Sequence, residues 1–296
     1  MRKISVCGNQ ILLNNRPYYQ KLLLDQGYYK ESGLTPLSVD AIKNDILLSK
    51  AMGYNGARKH QKFEDPYFYY LADELGFLTW CEMPSSYNFS NEAIKNATFE
   101  WQEIVKNAMN YTSVITYVPL NESWGVRKIL NNFNQQSFAK SLYYLTKSID
   151  PSRLVSINDG WENIEETDIV TIHDYAFSSE GFKEKYNPIN FDELFPVGRK
   201  LMAINNKYKG QPVIFSEFGG IAMSKDSKDG AWGYGKSAND NEEFYKRYEN
   251  LISGIKELGF QGFCFTQTTD VQQEVNGLLD SEHKPKYDIE RIKSLT

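Results

Sequence analysis

The chain has 296 residues, of which 41% are hydrophobic and 14% aromatic, and its formal net charge is −5. This length and apolar content allow a large buried core, and the many aromatic residues include rings that we expect to line a surface cleft. Because Lys and Arg form no block and no run of about 18 apolar residues occurs, neither nucleic acid nor a membrane is an expected partner.

Eight short apolar segments, rich in β-branched and aromatic residues, predict eight strands. In chain order they are YYQKLLL (18–24), GARKH (56–60), FLTWC (77–81), VITYVP (114–119), LVSIN (154–158), IVTIHDY (169–175), VIFSEF (213–218) and GFCFTQ (262–267). Five segments between them have apolar residues at helical spacing and predict covering helices. They are VDAIKNDILLSKAMG, DPYFYYLADELG, WQEIVKNAMNY, QQSFAKSLYYLTKSID and NEEFYKRYENLISGIKELG. Gly53 and Gly76 end the first two, where a left-handed cap is needed.

The alternation of strands and helices predicts a closed (β/α)8 TIM barrel rather than an open doubly wound sheet. Such an open sheet would need a glycine-rich phosphate loop after its first strand, and LLLDQGYYKESG lacks the G-x-G-x-x-G spacing. Only about ten residues separate the fifth and sixth strands, which is too few for a crossover helix, so this unit is predicted to be degenerate. No linker divides the chain, and residues 1–296 are predicted to form a single barrel domain.

The cysteines Cys7, Cys81 and Cys264 have no metal-ligand spacing, and two of them lie in apolar runs that suit reduced, packed thiols. The first residues lack the apolar stretch of a signal peptide. We therefore expect a cytoplasmic protein without a metal or a cofactor, and the sequence leaves a homo-oligomer open.

Polar residues that follow the predicted strands are candidate site residues, because active sites of such barrels lie at the carboxyl ends of the strands. They are Asp25, Arg58, His60, Glu82, Asn121, Glu122, Asn158, Asp159, His173, Asp174, Tyr175, Glu217, Gln267 and Asp270. The stretch VITYVPLNESWG illustrates the pattern, since an apolar strand ends there in Asn121, Glu122 and Trp124.

Glu122 and Glu217 are the most informative pair, since they follow strands on facing arcs of the predicted barrel. Two carboxylates about 5 Å apart are what retaining glycoside hydrolysis requires, one as nucleophile and one as acid and then base. Their mutual repulsion would help to keep Glu122 protonated while Glu217 is ionised. The alternative for either residue alone is a solvated surface charge.

Four segments together resemble the catalytic barrel of glycoside hydrolase family 2, the group of β-galactosidases, β-glucuronidases and β-mannosidases. They are LNNRPYYQ, GYNGARKHQKFEDPYFYYLADELGFLTWCEMP, SVITYVPLNESWG and PVIFSEFGG, and the resemblance runs from about Asn14 to the end of the chain. It implies that Glu122, in an Asn-Glu pair, is the acid/base. It also implies that Glu217, in the motif Ser-Glu-Phe-Gly, is the nucleophile.

The resemblance also implies binding roles. Arg58 matches an arginine that typically braces the nucleophile, and Asn121 matches a residue that binds the sugar 2-hydroxyl. Tyr175 lies with His173 where related barrels place a tyrosine beside the nucleophile, although a packed core tyrosine is the alternative. Further candidates for substrate binding are Asp25, His60, Glu82, Gln267 and the loop residues Trp124, Trp161 and Trp232, which could stack on sugar faces.

Two departures from the family pattern concern the substrate. RKHQKF replaces the run R-x-S-H-Y-P, so that His60 lies where the serine would be. EVNG, with Glu274 and Asn276, replaces the Asn-x-Lys pair that holds the sugar carboxylate in β-glucuronidases. A glutamate there would repel a uronic acid, so a neutral sugar is favoured. Family members also carry β-sandwich domains before the barrel, and their absence is compatible with a domain excised from a longer protein.

The sequence therefore predicts a metal-free retaining exo-β-glycosidase, with a β-galactoside as the favoured substrate and a carbohydrate as the partner. The first alternative is a carbohydrate-binding barrel or isolated fragment with little or no turnover. A metal hydrolase is disfavoured because no pair among His60, His173 and His283 has the H-x-x-x-H spacing.

Overall fold

The computed structural model describes residues 2–224 and 230–296. In this part of the chain a curled parallel sheet of eight strands forms the wall of a barrel, which confirms the predicted (β/α)8 architecture. Its strands are β4 Gln20–Asp25, β5 Gly56–Lys59, β6 Leu78–Glu82, β7 Val114–Val118, β8 Leu154–Val155, β9 Val170–His173, β10 Val213–Gly219 and β11 Gly262–Thr266.

The strand order is β8-β7-β6-β5-β4-β11-β10-β9, so β8 and β9 meet where the sheet closes. This seam has no strand-to-strand ladder among the described residues. It is bridged by the backbone N–H of Asp168, which donates to the Val155 carbonyl at 2.8 Å, and by that of Gly160, which donates to the Thr171 hydroxyl at 2.9 Å. No helix lies between β8 and β9 in the described chain, as the short spacing predicts.

Helices cover the outside of the sheet, and the five predicted ones are present. The helices are α1 Val39–Ala51, α2 Pro66–Leu75, α3 Asn91–Ala108, α4 Phe133–Ile149, α5 Phe182–Lys185, α6 Asn241–Glu257 and α7 Ile289–Leu295. Gly53 and Gly76 have φ of 92° and 64°, which confirms the left-handed caps. The predicted start of α3 at Trp101 is wrong by ten residues. The helix begins after Ser90, whose hydroxyl accepts from the Ala93 N–H and caps the first turn.

The barrel interior is filled by inward-facing apolar side chains, including Leu22, Leu24 and Trp80. An antiparallel sheet that the sequence analysis did not predict, β1 Ile4–Cys7, β2 Gln10–Leu13 and β3 Arg16–Pro17, contributes Ile4 and Ile11 to the same cluster. The N–H of Ile11 also donates to the side chain of Gln261, just before β11 begins, at 3.3 Å. This sheet therefore closes the amino-terminal end of the barrel, opposite the carboxyl ends of the strands.

None of the helices in the described ranges is long and apolar enough to cross a lipid bilayer.

Candidate active site

The turn after β7 directs Glu122 into the barrel mouth. Glu122 and Ser123 have φ of 50° and 58°, a left-handed conformation that is uncommon for residues other than glycine. Both are held by the loop after β8, because the Glu122 N–H donates to the Asp159 carbonyl and the Ser123 N–H to the Asn158 side chain, each at 2.9 Å. Backbone conformations of this kind persist only where the surroundings enforce them, and they cluster at functional sites.

Glu217 enters the same mouth from β10. The register of β10 against β9 and β11 shifts beside Glu217, and such bulges re-aim a side chain at the rim of a barrel. An oxygen of Glu122 and an oxygen of Glu217 consequently lie within 4.8 Å of each other, together with a ring nitrogen of His173. The structure thus brings together the two glutamates that the sequence singled out, across 95 residues of chain (217 minus 122).

Each carboxylate oxygen of Glu217 has its own donor. Arg58 donates from Nη1 to Oε1 at 2.9 Å, and the Tyr175 hydroxyl donates to Oε2 at 2.6 Å. Tyr175 stacks on Tyr234, with ring centroids 3.5 Å apart and an interplanar angle of 7°. Burial, followed by the charge of Glu217, raises the pKa of Tyr175 well above its usual value, so its hydroxyl remains a donor.

Arg58 contacts other residues of the site in addition to the nucleophile candidate Glu217. It is fully buried and donates to Glu82 through Nε and to the side-chain oxygen of Asn121 at 2.7 Å. Its Nη1 also lies 3.3 Å from Asp159. Burial lowers the pKa of Arg58, but the charges of Asp159, Glu82 and Glu217 outweigh burial and raise it well above the usual value. Arg58 therefore joins four strand ends in one buried network.

His173 lies between two carboxylates. Its Nδ1 is 2.8 Å from Oε1 of Glu122, its Nε2 is 2.6 Å from Oδ1 of Asp159, and only 1% of the residue is exposed. Burial lowers the pKa of His173, but the charge of Glu217 and the contacts with Asp159 and Glu122 outweigh it and raise the pKa to about 10. For Asp159, burial raises the pKa, yet Arg58 and His173 outweigh it and lower the pKa to about 2.

The expectation that repulsion keeps Glu122 protonated is wrong for the free site. Burial raises the pKa of Glu122, but the hydrogen bond and charge of His173, followed by more distant positive charges, outweigh burial and leave the pKa below its usual value. Glu122 is therefore a carboxylate at neutral pH. The sequence analysis considered Glu217 as the neighbour of Glu122 and left His173 out of this balance.

The mouth of the barrel has an amide-rich side near the end of β11. The side chain of Gln26 donates to Gln267 at 2.8 Å and to Glu274 at 3.3 Å. Gln267 donates to Asn276 at 2.8 Å, and Asn276 donates to Glu274 at 3.1 Å. Burial raises the pKa of Glu274, and within residues 2–224 and 230–296 no lysine or arginine forms an ion pair with it.

Aromatic residues flank the site on two sides. Trp124 is partly exposed and carries the Arg127 guanidinium 3.4 Å above its ring, with Tyr87 edge-on at 5.7 Å. Trp232 is 45% exposed and packs edge-on against Tyr234 at 5.5 Å. Trp232 can offer a ring face to a ligand, whereas Arg127 already covers one face of Trp124. Trp161 instead lies edge-on to His173, with centroids 5.6 Å apart.

The remaining predicted site residues have partners inside the protein. Asp25 pairs with Lys59 at 2.7 Å, and Lys59 also pairs with Glu64 at 2.7 Å. Nδ1 of His60 lies 3.4 Å from Glu82, beside the Arg58 network. Asp25 therefore supports the rim of the barrel in this structure, while His60 faces the candidate site.

Two residues of the site, Tyr234 and Gln26, were not among the candidates of the sequence analysis. Asp159 was a candidate as a polar residue after the fifth strand, but nothing in the sequence shows that it faces a histidine. Tyr234 and Gln26 lie in long loops, and only the folded chain places them beside Tyr175 and Glu274.

A model of the TIM barrel domain of the family 2 glycosyl hydrolases matches residues 4–296. The chain belongs to glycoside hydrolase family 2. One relative of this family 2 barrel is a β-glucuronidase of Streptococcus agalactiae. It is 23% identical over an alignment of 329 positions, which covers 99% of this chain and 52% of that protein. Another is a β-galactosidase of Pseudoalteromonas haloplanktis, 25% identical over 178 residues that cover 57% of this chain and 16% of that protein.

A solved family 2 β-galacturonidase from Eisenbergiella tayi, bound to galacturonate, superposes with a TM-score of 0.80 at 20% identity. The match covers 99% of this chain and 53% of that one, and it shows a shared fold. The chain thus spans about half the length of that structure and of the S. agalactiae relative, and a smaller share of the P. haloplanktis relative.

Proposed function

We propose that this family 2 barrel is a retaining exo-β-glycosidase that hydrolyses a neutral β-glycoside, with a β-galactoside favoured. The observation that carries the proposal is the separation of one carboxylate oxygen of Glu122 from one carboxylate oxygen of Glu217, which is at most 4.8 Å. Retaining enzymes hold their two carboxyl groups about 5–5.5 Å apart, whereas inverting enzymes need about 6.5–9.5 Å to admit a water molecule. The short separation supports a covalent double displacement.

In the first step a carboxylate oxygen of Glu217 attacks the anomeric carbon, the glycosidic C–O bond breaks, and Glu122 gives its proton to the leaving oxygen. In the second step Glu122 takes a proton from water, the water oxygen bonds to the anomeric carbon, and the bond to Glu217 breaks. Arg58 and Tyr175 hold the two oxygens of Glu217 in place for the attack. Glu122 must acquire a proton before the first step, which favours an acidic working pH.

Asn121 is suited to bind the sugar 2-hydroxyl. Arg58 donates to the side-chain oxygen of Asn121 at 2.7 Å, which fixes that oxygen as an acceptor and turns the amide NH2 group into the end that can donate to a ligand. A contact of this type strengthens as charge develops on the sugar ring.

The side of the barrel mouth near Glu274 favours a neutral sugar over a uronic acid. A uronate there would face the carboxylate of Glu274 and the amides of Gln26, Gln267 and Asn276, with no cation supplied by the described residues of this group. The alternative cations Lys59 and Lys62 already have acidic partners, since Lys59 pairs with Asp25 and Glu64, and Lys62 pairs with Glu64. The relatives include both uronidases and a galactosidase, so the preference for a neutral sugar is inferred from Glu274 and its neighbours alone.

A panel of aryl β-glycosides tests turnover, and an activated 2-deoxy-2-fluoro-β-galactoside tests the nucleophile. We expect the galactoside to be cleaved with retention, and the fluorosugar to label the peptide that contains Glu217. The Glu217→Gln variant should neither turn over nor be labelled, whereas Glu100→Gln, a change at an exposed glutamate of α3, should behave as wild type. Labelling at Glu122, an inverted product, or sugar binding without turnover would each contradict the proposal.

A further inference from the structure

Both ring nitrogens of His173 face carboxylate oxygens at hydrogen-bond distance. Nδ1 is 2.8 Å from Glu122 and Nε2 is 2.6 Å from Asp159, and the ring is almost completely buried, so water does not intervene. A neutral imidazole has one N–H donor and one lone pair. It can satisfy one of two carboxylates, and its lone pair would face the other unless that group is protonated.

The surroundings of His173 favour the doubly protonated ring. Asp159 accepts hydrogen bonds from Nε2 of His173 and, at 2.6 Å, from the hydroxyl of Ser216, and it lies 3.3 Å from Arg58, so it is held as a carboxylate. Nε2 of His173 also lies 3.6 Å from Glu217. Arg58 is the cation nearest to the ring, with Nη1 3.4 Å from Nε2, and its charge is shared among Glu82, Asp159 and Glu217. The ionisable groups that face the Glu122–His173 pair are Asp159, Glu217, Arg58 and His60.

Gly160 makes this position of the ring possible. Its φ is 106°, and a Cβ atom on Gly160 would lie 2.7 Å from Nδ1 and 2.9 Å from two ring carbons of His173. A side chain at residue 160 would therefore push the imidazole away from Glu122. The segment Asn158-Asp159-Gly160 provides at once the carboxylate that orients His173 and the space that its ring occupies.

We propose that His173 is a positively charged positioning residue for Glu122, oriented by Asp159, and that it confines the acid form of Glu122 to acidic pH. The inference rests on the proposed glycosidase function. In the first step the proton passes from Glu122 to the leaving oxygen while His173 keeps both of its protons and stabilises the new carboxylate. In the second step Glu122 takes a proton from the attacking water, although the positive charge of His173 favours the carboxylate form of Glu122.

The protonation state of His173 can be measured without any substrate. The chain has three histidines, so imidazole 15N resonances of the labelled protein can be assigned with single variants. We expect both nitrogens of His173 to stay protonated from pH 6 to above pH 8, and its titration to move to lower pH in Glu122→Gln, where one carboxylate is lost. A neutral His173 at pH 7, or an unchanged titration in Glu122→Gln, would overturn the proposal.

The kinetic test uses His173→Asn, which places a neutral amide donor near the position of Nδ1. Loss of a charge in contact with Glu122 should move the basic limb of the kcat/KM profile upward by at least about one pH unit. His283→Asn is the matched control, because His283 also pairs with an aspartate, Asp45 at 2.8 Å, but lies away from the site. The basic limb of the kcat/KM profile of His283→Asn should stay where it is in the wild-type protein.

The two proposals fail in different ways. If the wild-type protein cleaves no glycoside of the panel, the glycosidase proposal fails, and the 15N titration still decides whether His173 is charged. If the wild-type protein cleaves and the basic limb of His173→Asn does not move, or moves downward, the role of His173 is refuted and the glycosidase remains. A purely structural role for His173 would lower activity at every pH by the same factor.

Discussion

Replacing Arg58 by methionine should remove a large part of the stability of the barrel. The change deletes the guanidinium that faces three buried carboxylates, Glu82, Asp159 and Glu217. Loss of one partner from a buried ion pair costs about 3–5 kcal/mol, against a typical total stability of about 5–15 kcal/mol. Arg58→Lys keeps a charge but loses the forked geometry, and we expect it to lose about 1.5–3 kcal/mol, the contribution of a hydrogen bond to a charged group.

The loss in Arg58→Met should depend on pH with a definite sign. In the wild-type protein the pKa values of Glu82 and Asp159 are lowered. Burial raises both values, but Arg58 together with His60 for Glu82, and with His173 for Asp159, outweighs burial. Their stabilising contribution is present above the unfolded pKa values and is lost as pH falls through the folded ones. Without Arg58 these carboxyl groups are protonated at higher pH, so the difference from wild type should be largest at pH 7 and smaller at pH 5.

Urea unfolding followed by far-UV circular dichroism at pH 7 and pH 5 gives the loss in free energy of unfolding and its dependence on pH. Arg16→Met is the matched control, because Arg16 is exposed on β3, and it should change the free energy of unfolding little. The reasoning is refuted if Arg58→Met loses less than about 1 kcal/mol at pH 7, the range of an exposed ion pair, or if its loss grows as the pH is lowered.

Two further predictions concern the proposed activity. Glu122→Ala should slow glycosides with basic leaving groups about 10²-fold or more while affecting activated aryl glycosides far less, and azide should restore part of the rate; equal losses without rescue would argue against an acid/base. Glu274→Lys should narrow the preference for a neutral glycoside over the glucuronide by roughly 10- to 100-fold in kcat/KM. A wild-type protein that prefers the glucuronide would contradict the interpretation of Glu274.

The sequence predicted the barrel strands because each buried strand is a compact apolar run with polar residues at its end. VITYV and VIFSEFG show this pattern, and the structure places β7 and β10 there. The small sheet of β1, β2 and β3 was missed, because its strands are two to four residues long and only Ile4 and Ile11 in them are buried. Local pattern is too weak a signal for elements that are stabilised mainly by packing on the rest of the fold.

The electrostatics of the candidate site could not be predicted in the same way. Glu122 and His173 are 51 positions apart, and their contact exists only because the barrel closes. A sequence shows which residues can ionise, whereas the sign of a pKa shift depends on burial and on which charges become neighbours. Glu122 pairs with a charged histidine, rather than with Glu217 alone, because closure of the barrel brings His173 beside it.

The seam between β8 and β9 gives the barrel a point of local opening. β8 has two residues, and β8 and β9 are joined by a few bonds in which the side chains of Thr171 and Asp168 take part, so breaking the ring there disrupts less of the sheet than a break elsewhere. Asp159 and His173 stand on opposite sides of this joint. A fluctuation that separates the two strands would also separate Asp159 from His173. Amide hydrogen exchange at Val155 and Gly160, whose N–H groups donate across the seam, would measure how often this happens.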